Sequence, residues 1–303
     1  MSVSLYYWND MPNFGDRLNE DVCKFLSGAN PVWASPKRCN AAFIGSVLEK
    51  FIYRRKHWTV DALWIKYFRS KVHVWGSGFI KSPETSEERL MRRLKVCAVR
   101  GRITLERLRG LTGLALDDAA VGDPGLLASR LYPAKGAPFR ACGIIPHHAE
   151  LAEIKRPGET VATESESGIL QDSTIRAMPL FDRLARSIPG AVVLNPESSP
   201  KTVISRISEC EAVLSSAMHG LIVADSFGIP NIRLIASDSL TGGDYKFKDY
   251  YSAFSENKYR AVDIREDVSD GLLETVKNGF EDLRNEILKI QGSLIDSFPR
   301  EQN

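Results

Sequence analysis

No apolar run in this chain approaches the ~20 consecutive residues that a membrane-spanning helix needs. Its first residues, MSVSLYYWNDMPNFGD, also lack the charged segment followed by an apolar segment that is typical of a secretion signal. The five cysteines are scattered and never spaced as CxxC, which favours neither a disulfide framework nor a zinc site. We therefore expect a cytoplasmic protein that is soluble or, at most, peripheral to a membrane.

The chain also lacks a strong excess of either positive or negative charge. Forty lysines and arginines stand against 38 acidic residues, which gives a formal net charge of +2 at pH 7. A protein that coats nucleic acid carries a much stronger positive bias, so we expect no nucleic-acid partner. No cluster of candidate ligands demands a metal ion, and we expect neither a metal nor an organic cofactor.

Short apolar runs alternate with segments of helical period along almost the whole chain. This pattern is typical of βα units around a parallel sheet, and it predicts an α/β fold. Because single cores rarely grow past ~250 residues, a chain of 303 residues predicts two domains. The segment Tyr132–Arg140 holds two prolines and a glycine, and it is the predicted linker between domains at residues 1–135 and 139–303.

Strands and helices are predicted in alternation in both halves. The predicted strands are Val3–Tyr7, Asn40–Gly45, Val72–Trp75, Val96–Val99, Ala141–Pro146, Ala191–Leu194, Ala212–Ser215 and Asn231–Ile235. The predicted helices are Arg17–Leu26, Ser46–Tyr53, Ile103–Leu108, Ile175–Arg186, Pro200–Ile207, Met218–Phe227 and a long C-terminal helix, Gly271–Ile295.

Polar residues at the strand ends are the first candidates for function, because the carboxyl ends of parallel strands open into a crevice and the following helix N-termini attract anions. NFGD, residues 13–16, follows the first strand; taken alone, it is typical of a turn and a helix cap. GSGF, residues 76–79, has glycines that let a ligand approach the backbone, although turns need glycine too. The candidate binding residues here are Asn13, Gly15, Gly76 and Ser77.

Two further strand ends carry charged or titratable side chains. Arg100 and Arg102 in VRGR can bind a carboxylate or phosphate in a bidentate manner, although a solvated arginine is the commoner outcome. GIIPHH ends the first strand of the second half with two histidines facing the predicted crevice. Arg100, Arg102 and His147 therefore join the candidate binding residues.

The stretch LSSAMHGLIVADSFGIP, residues 214–230, places a histidine between an apolar strand and an apolar helix. Ser216 is the predicted helix cap, which puts His219 in the first helical turn. Because the positive end of the helix dipole disfavours the imidazolium, we expect a neutral imidazole that can exchange protons. On this motif alone, a buried histidine that is merely hydrogen-bonded stays an equal alternative.

Together, the motifs resemble the polysaccharide pyruvyl transferase family, and their order and spacing run from residue 5 to about residue 254. They are NFGD, GSVL, VWGSGF, VRGRIT, GDPGLL, GIIPHH, LSSAMHGLIVADSFGIP and KFKDYYSAF. The resemblance implies two Rossmann-like domains with parallel sheets, similar to the two-domain (GT-B-like) glycosyltransferases. It implies phosphoenolpyruvate as donor and a hydroxyl pair on a bacterial exopolysaccharide, or on its lipid-linked precursor, as acceptor. It also implies a catalytic or donor-binding role for His219, with Ser215 and Ser216 in the same motif.

One position departs from the family pattern. Many members carry an arginine two residues before the histidine, where it helps to hold the donor, whereas this chain has Ala217. Other cations must then bind the donor, and Arg100 and Lys248 are the ones we expect to replace the arginine. The full set of candidate cations is Arg100, Arg102, Lys246 and Lys248.

Ketal formation from an enol phosphate defines what the site must supply. A proton goes to the methylene carbon, and an oxocarbenium-like centre develops at the next carbon; one hydroxyl attacks it, and phosphate leaves before the second hydroxyl closes the ring. The reaction therefore needs an acid, a base and cations. His219 is the candidate acid or base, Asp16 is the second predicted catalytic residue, and Asp249 is a further candidate carboxylate.

Two other functions stay open, because fold alone does not fix function. The first is a glycosyltransferase or sugar-nucleotide epimerase of the same architecture. Retaining glycosyltransferases often carry an acidic pair in this helix, but the partner position of Asp225 is Ala217. The second is a non-catalytic sugar- or nucleotide-binding protein. Ala217 leaves this alternative open, because many family members have a donor-binding arginine at that position.

The stretch Lys50–Lys71 contains seven lysines or arginines, one acidic residue and six interleaved aromatic residues. This composition fits a core helix with a solvated basic face, but aromatic bodies with basic flanks also suit a membrane headgroup layer. Exopolysaccharide acceptors are usually assembled on lipid carriers at the inner face of the cytoplasmic membrane. The resemblance therefore favours a weak peripheral membrane contact through residues 50–71.

Overall fold

A computed structural model describes residues 3–54, 71–83, 88–153, 175–177, 179–238, 240–256, 258–265 and 271–300. In these residues the chain forms two larger parallel sheets, one from each half of the sequence, with helices packed on them. The predicted α/β class with two Rossmann-like parallel sheets is therefore confirmed.

The first half of the chain builds a six-stranded sheet. Its strands, with two others of this half, are β1 (Ser4–Leu5), β2 (Val32–Trp33), β3 (Ala41–Ala42), β4 (Ile52–Arg54), β5 (Val72–Trp75), β6 (Glu88–Leu90), β7 (Leu94–Val99) and β8 (Ala120–Val121). The order is β2-β1-β3-β5-β7-β8, and every pair is parallel. Val72, Val74 and Trp75 in the central strand β5 are fully buried, as expected for a parallel strand with both faces covered.

The second half builds a five-stranded parallel sheet in which two central strands are buried throughout. The strands of this half are β9 (Cys142–Ile145), β10 (Leu151–Glu153), β11 (Ile175–Ala177), β12 (Ala191–Val193), β13 (Val213–Ser215), β14 (Asn231–Ile235) and β15 (Ala261–Asp263). The sheet order is β12-β9-β13-β14-β15. The remaining strands form two small antiparallel pairs, β4 with β6 and β10 with β11.

Nine α-helices lie among the described residues. They are α1 (Phe14–Ser27), α2 (Arg102–Thr112), α3 (Ala128–Leu131), α4 (Pro179–Ser187), α5 (Pro200–Ile207), α6 (Met218–Phe227), α7 (Tyr245–Tyr251), α8 (Leu272–Asn278) and α9 (Arg284–Asp296). Local sequence explains the ends of α1, because the Asn13 side chain caps its start and Gly28 ends it in the left-handed region, at φ 72°.

Two predicted helices begin elsewhere or are replaced. The segment 46–53 forms only a 3-10 turn, Leu48–Phe51, because Ile52 then enters β4 and pairs with Leu90. The helix predicted at 175–186 begins only at Pro179, after β11. Proline suits the first helical turn and disfavours a helical conformation in the residue before it.

The predicted long C-terminal helix, 271–295, is two helices, since α8 ends at Asn278, before Gly279, and α9 begins at Arg284. Glycine has a low helix propensity and commonly follows a helix end. Helix α7, within KFKDYYSAF and the residue before it, was not among the predicted helices.

The C-terminal helix α9 packs against the first sheet, although it follows the second in sequence. The indole Nε1 of Trp75 donates to the backbone oxygen of Leu294 at 2.9 Å. The Phe298 ring lies 5.1 Å from the Trp75 ring and 5.6 Å from the Phe43 ring. The C-terminal segment therefore joins the two halves, and the assignment of residues 139–303 to one domain stays a prediction.

Candidate active site

The carboxyl ends of both sheets border one cavity of about 570 Å³. Residues that follow β1, β3 and β5 line one wall, and residues that follow β9, β13 and β14 line the other. Ligand pockets commonly have volumes of ~300–1,000 Å³, so the space suits a small-molecule site. The titratable and aromatic side chains that line it are Tyr6, Trp8, Asp16, Glu49, Lys50, Lys81, His147, His148, His219 and Lys246.

The first turn of α1 brings Asp16 to the cavity through close glycine contacts. Asn13 Oδ1 accepts a hydrogen bond from the Gly15 N–H at 2.9 Å, so Asn13 is a helix cap that also lines the cavity. A Cβ atom on Gly15 would lie 2.0 Å from Nδ1 of His219, so the imidazole can pack here only against glycine. A Cβ on Gly45 would lie 3.0 Å from Oδ1 of Asp16.

Asp16 is only 8% exposed, and burial raises the pKa of its carboxyl group to about 7. The nearby Lys246 ammonium lowers the pKa of Asp16, whereas Asp123 raises it. Protonated and ionised Asp16 are therefore both present near neutral pH, as a general acid requires.

The structure places His219 in the first turn of α6, where the residue is only 7% exposed. Burial, together with the positive charges of Lys246 and Arg100, lowers the pKa of His219 to about 3. The imidazole is therefore neutral at physiological pH. Its Nε2 is buried and has no hydrogen-bond partner among the described protein atoms, which is unusual for a buried polar atom.

Ser216 binds a buried carboxylate instead of capping α6. Its hydroxyl donates to Oε2 of Glu150 and accepts a hydrogen bond from the His147 N–H at 2.8 Å. The residue before α6 is Ala217, and no side chain of the described residues caps this helix. The prediction that Ser216 is the cap is therefore wrong, because the Glu150 carboxylate is a stronger hydrogen-bond partner. Ser215 stabilises the same turn, since its Oγ accepts a hydrogen bond from the Ala217 N–H at 3.1 Å.

Three rings, those of Trp8, His148 and His147, form a row along the cavity, which we call the ring row. The ring centroids are 4.9 Å apart for Trp8 and His148, and 4.1 Å apart for His148 and His147. Burial, together with the positive charges of Lys246, His148 and His219, lowers the pKa of His147 to about 2. Burial and Lys246 also lower the pKa of His148, so both imidazoles are neutral.

Lys246 is the buried cation of the cavity, and the residue is only 7% exposed. Burial and the charge of Arg100 lower its pKa, which Asp16 raises in part, to a net value of about 8. Its own charge lowers the pKa of four cavity residues, namely Asp16, His147, His148 and His219. Lys246 is therefore the electrostatic centre of the site.

Arg100 lies outside the cavity lining, and its guanidinium already binds protein groups. Nε donates to Oδ2 of Asp249 at 2.8 Å, and the other nitrogens donate to Ser46 Oγ and to the backbone oxygen of Phe79. Asp249 also accepts two hydrogen bonds from Thr104, each of 2.7 Å. The structure therefore does not bring Arg100 or Asp249 into the cavity.

Arg102 and Lys248 also lie away from the cavity. Arg102 is exposed at the start of α2. The Lys248 side chain is 56% exposed, and its Nζ lies 3.6 Å from Oδ2 of Asp244. Of the four candidate cations, Lys246 is the one that lines the cavity.

Gly76 and Ser77 are part of the packing behind the cavity. Gly76 has a φ of +87°, and a Cβ atom there would lie 2.1 Å from Cδ of Pro124. The Ser77 hydroxyl is fully buried and donates to the backbone oxygen of Phe43 at 2.8 Å. These contacts support the structural interpretation of GSGF, in which its glycines permit close packing.

Sequence reasoning missed several residues that line the cavity, among them Trp8 and Glu49. Trp8 comes three residues after β1, and this position at a strand end was the signal that could have found it. Glu49 lies in a segment predicted as a helix, so no sequence signal directed it to the site. Its Oε1 accepts hydrogen bonds from the N–H groups of Ile80 and Lys81, at 2.7 and 3.2 Å.

In the part of the chain that the structure describes, no group of three or more His, Cys, Asp or Glu residues could hold a metal ion. A search of the same part finds no helix whose length and hydropathy would allow it to span a bilayer. Most of the basic aromatic stretch Lys50–Lys71, residues 55–70, lies outside the described residues. Its membrane contact stays a prediction.

Comparison with known proteins adds a family match that covers most of the cavity residues, although Tyr6, Trp8, Thr241 and Lys246 lie outside it. A family model described as polysaccharide pyruvyl transferase matches residues 13–239. An uncharacterized protein of Acanthamoeba polyphaga mimivirus is 24% identical over 261 residues, which are 83% of this chain and 74% of that protein. The crystal structure of a functionally uncharacterized protein from Klebsiella pneumoniae matches with a TM-score of 0.44 and 13% identity, over 86% of this chain and 93% of that one.

Proposed function

This chain belongs to the polysaccharide pyruvyl transferase family, and from that premise we propose that it forms a pyruvate ketal on a polysaccharide sugar, with phosphoenolpyruvate as the donor. Inorganic phosphate is the second product. The observation that carries the proposal is the convergence of Asp16, His219 and Lys246 on one cavity between the two sheets. These side chains supply a proton donor, a neutral imidazole and a cation, which are the groups that the reaction needs.

The proposed donor site consists of Lys246 and the N-terminus of α6. Lys246 is a buried ammonium, and a charge-assisted hydrogen bond to phosphate or carboxylate is stronger there than in water. Ala217, Met218 and His219 line the cavity at the uncapped helix end, whose N–H groups and dipole attract an anion. Lys246 therefore takes the role of the arginine that is missing at position 217.

Asp16 is the proposed general acid, because its pKa of about 7 keeps a proton available at neutral pH. The O–H bond of Asp16 breaks as the proton moves to the methylene carbon of the donor, where the enol π electrons form the new C–H bond. Positive charge then develops at the neighbouring carbon, and one hydroxyl of the acceptor sugar attacks it.

His219 is the proposed base, which accepts the proton of that attacking hydroxyl. The bound phosphate favours the imidazolium and raises the pKa of His219 in the complex. The carbon–oxygen bond to phosphate then breaks, phosphate leaves with the electron pair, and the imidazolium protonates it. The second hydroxyl closes the ketal and returns its proton to the Asp16 carboxylate, so both groups regain their starting states.

The proposal extends to a bacterial exopolysaccharide, or its lipid-linked precursor, as the acceptor, and to the cytoplasm as the place of reaction. A lipid-linked acceptor requires the enzyme to approach the inner face of the membrane. The basic stretch Lys50–Lys71 supports this contact, because anionic lipid attracts each nearby basic side chain by about 1 kcal/mol. The contact would be weak, reversible and sensitive to salt.

Incubation of the protein with phosphoenolpyruvate and a panel of oligosaccharides tests the proposal. We expect phosphate release that depends on the saccharide, together with a ketal product detected by mass spectrometry and NMR. A nucleotide sugar in place of phosphoenolpyruvate should give no product. Turnover with the nucleotide sugar, or no phosphate release with any acceptor, would reject the proposed reaction.

The glycosyltransferase alternative receives no support from the acidic residue on which it depends. Asp225 is buried, does not line the cavity, and accepts hydrogen bonds from the Tyr250 hydroxyl and the Asn231 amide, both at 2.7 Å. Both oxygens of the Asp225 carboxyl group therefore accept hydrogen bonds from protein side chains near the C-terminal end of α6. The non-catalytic alternative predicts donor or saccharide binding without phosphate release, so the same assay separates it from the enzyme.

A further inference from the structure

The ring row runs along the cavity lining from His147 through His148 to Trp8. His147 is close enough to His219 for the charge of His219 to affect its pKa, while Trp8 stands at the other end of the row. The planes of Trp8 and His148 are tilted by only 32°, and both side chains are half-buried in the cavity lining. The transfer chemistry assigns no role to Trp8, to His148 or to Glu49.

Two hydrogen-bond acceptors in the same cavity lining have no partner among the described protein atoms. They are Oε2 of Glu49 and, in the tautomer that carries its proton on Nε2, Nδ1 of His148, and both atoms are buried. A buried acceptor without a partner is costly, so a hydroxyl group of a ligand that reached it would remove that cost. His148 follows β9 and Glu49 follows β3, so the two acceptors come from different halves of the chain.

An aromatic face beside two hydroxyl acceptors defines the chemistry of the ligand. A pyranose ring has an apolar C–H face, which packs on an aromatic ring, and a rim of hydroxyl groups, which donate to carboxylate and imidazole acceptors. A purely apolar ligand would leave both acceptors unpaired.

We propose that Trp8, His148 and Glu49 form a binding subsite for a neutral sugar residue, with its C–H face on the Trp8 indole and its hydroxyls on His148 and Glu49. Its role as the acceptor subsite rests on the proposed function, since it places the sugar beside Lys246 and His219 in one cavity. Sugar binding itself does not require that function. The subsite bridges both halves, so the bound sugar contacts residues of each.

Substitution of Trp8 tests the subsite. Trp8→Ala should raise the acceptor KM by ~10-fold, which is ~1.4 kcal/mol, and should leave the KM for phosphoenolpyruvate unchanged. Trp8→Phe retains a smaller ring and should recover part of the loss. Phe25→Ala is the matched control, because Phe25 is 50% exposed on α1 and does not line the cavity. His148→Phe keeps the ring row but removes the acceptor nitrogen, and it should also raise the acceptor KM.

A binding measurement without turnover separates this inference from the proposed function. Fluorescently labelled protein is applied to a glycan microarray that carries neutral and acidic oligosaccharides, with and without phosphoenolpyruvate. We expect wild type and Phe25→Ala to be retained on neutral glycans, and Trp8→Ala to lose that retention at an unchanged melting temperature. Such a result together with no ketal formation would uphold the subsite and reject the transferase.

Two outcomes would overturn the subsite even if the transferase is correct. One is wild-type protein that forms ketals but has the same acceptor KM as Trp8→Ala and His148→Phe. The other is wild-type protein that binds phosphoenolpyruvate but is retained on no neutral glycan of the array.

Discussion

Nε of Arg100 lies 2.8 Å from Oδ2 of Asp249, and both side chains are fully buried. Arg100 directly follows β7 in the first half of the chain, whereas Asp249 lies on α7 in the second. Helix α7 also carries Lys246, so this ion pair positions the helix that supplies the buried cation of the cavity.

Loss of either partner of this ion pair should destabilise the fold. Arg100→Ala and Asp249→Ala should each lower the free energy of unfolding by ~3–5 kcal/mol, because each leaves an uncompensated buried charge. Denaturant titration measures the effect, with the exposed Arg102→Ala as the control. Wild-type stability combined with weakened donor binding in Arg100→Ala would instead make Arg100 a donor-binding residue.

Donor binding should depend on Lys246 and not on Lys248, two residues away on the same helix. Lys246→Ala should weaken the binding of phosphoenolpyruvate by ~1.5–3 kcal/mol, the contribution of a hydrogen bond to a charged group. Lys248→Ala should leave it unchanged, because that side chain is 56% exposed and lies near Asp244. Isothermal titration calorimetry with phosphoenolpyruvate measures donor binding by both variants. Weakened binding in Lys248→Ala with unchanged binding in Lys246→Ala would refute the donor site.

Turnover should depend on the His219 imidazole. His219→Gln keeps most of the volume of this buried ring, and it should reduce kcat by the ~10²–10⁴ that general acid–base groups contribute. Because the ring is buried, His219→Ala should also leave a cavity and lower stability, so the glutamine variant gives the cleaner measurement. Steady-state kinetics with near-wild-type kcat for His219→Gln would remove His219 from the mechanism.

A methyl group added at Gly15 should displace the His219 ring that packs against this glycine. In Gly15→Ala the new Cβ would lie 2.0 Å from Nδ1 of His219, so the imidazole must move and kcat should fall by a factor similar to that of His219→Gln. Gly110→Ala, in the exposed part of α2, is the control, since a Cβ there meets no atom within 4 Å. Equal kcat values for the two alanine variants would show that the ring tolerates displacement.

The raised pKa of Asp16 should appear as a dependence of stability on pH. Folding favours protonated Asp16, whose pKa rises from 3.8 to about 7 on burial, so its ionisation destabilises the native state. The free energy of unfolding of wild type, relative to Asp16→Asn, should therefore fall between pH 4 and 7 and stay level above pH 7. Lys246 and Asp123 influence the same carboxyl group and are present in both proteins. Urea titrations that show a constant difference across this range would contradict a raised pKa.

Residue pattern predicted the elements that carry the site better than it predicted the roles of individual charges. The apolar strand and helix around LSSAMHG led to His219 in a first helical turn, and NFGD led to Asp16 at the start of α1. Both placements follow from local rules for strand ends and helix caps. The same rules gave Ser216 a cap role that the structure assigns to no side chain, because a long-range partner, Glu150, binds its hydroxyl.

Tertiary contacts, which local sequence patterns do not reveal, determine the roles of several charged residues. Lys246 and Lys248 are identical in type and two residues apart, and only the orientation of α7 separates a buried cavity cation from an exposed one. The sequence pattern made Arg100 a candidate phosphate ligand. In the structure its guanidinium binds the buried carboxylate of Asp249, which is 149 positions away in sequence. Glu49 gave no signal, because its position depends on a 3-10 turn in a segment whose pattern predicts a helix.

The fate of the enol carbon of phosphoenolpyruvate is the most direct measurement of the proposed reaction. Donor that is isotopically labelled at this carbon is incubated with the protein and a saccharide that supports phosphate release, and the products are followed by NMR. We predict that the label appears in a quaternary ketal carbon bonded to two sugar oxygens, with one phosphate released per ketal and with loss of the signal in His219→Gln. Label that remains in phosphoenolpyruvate, or appears only in free pyruvate, would contradict pyruvyl transfer by this protein.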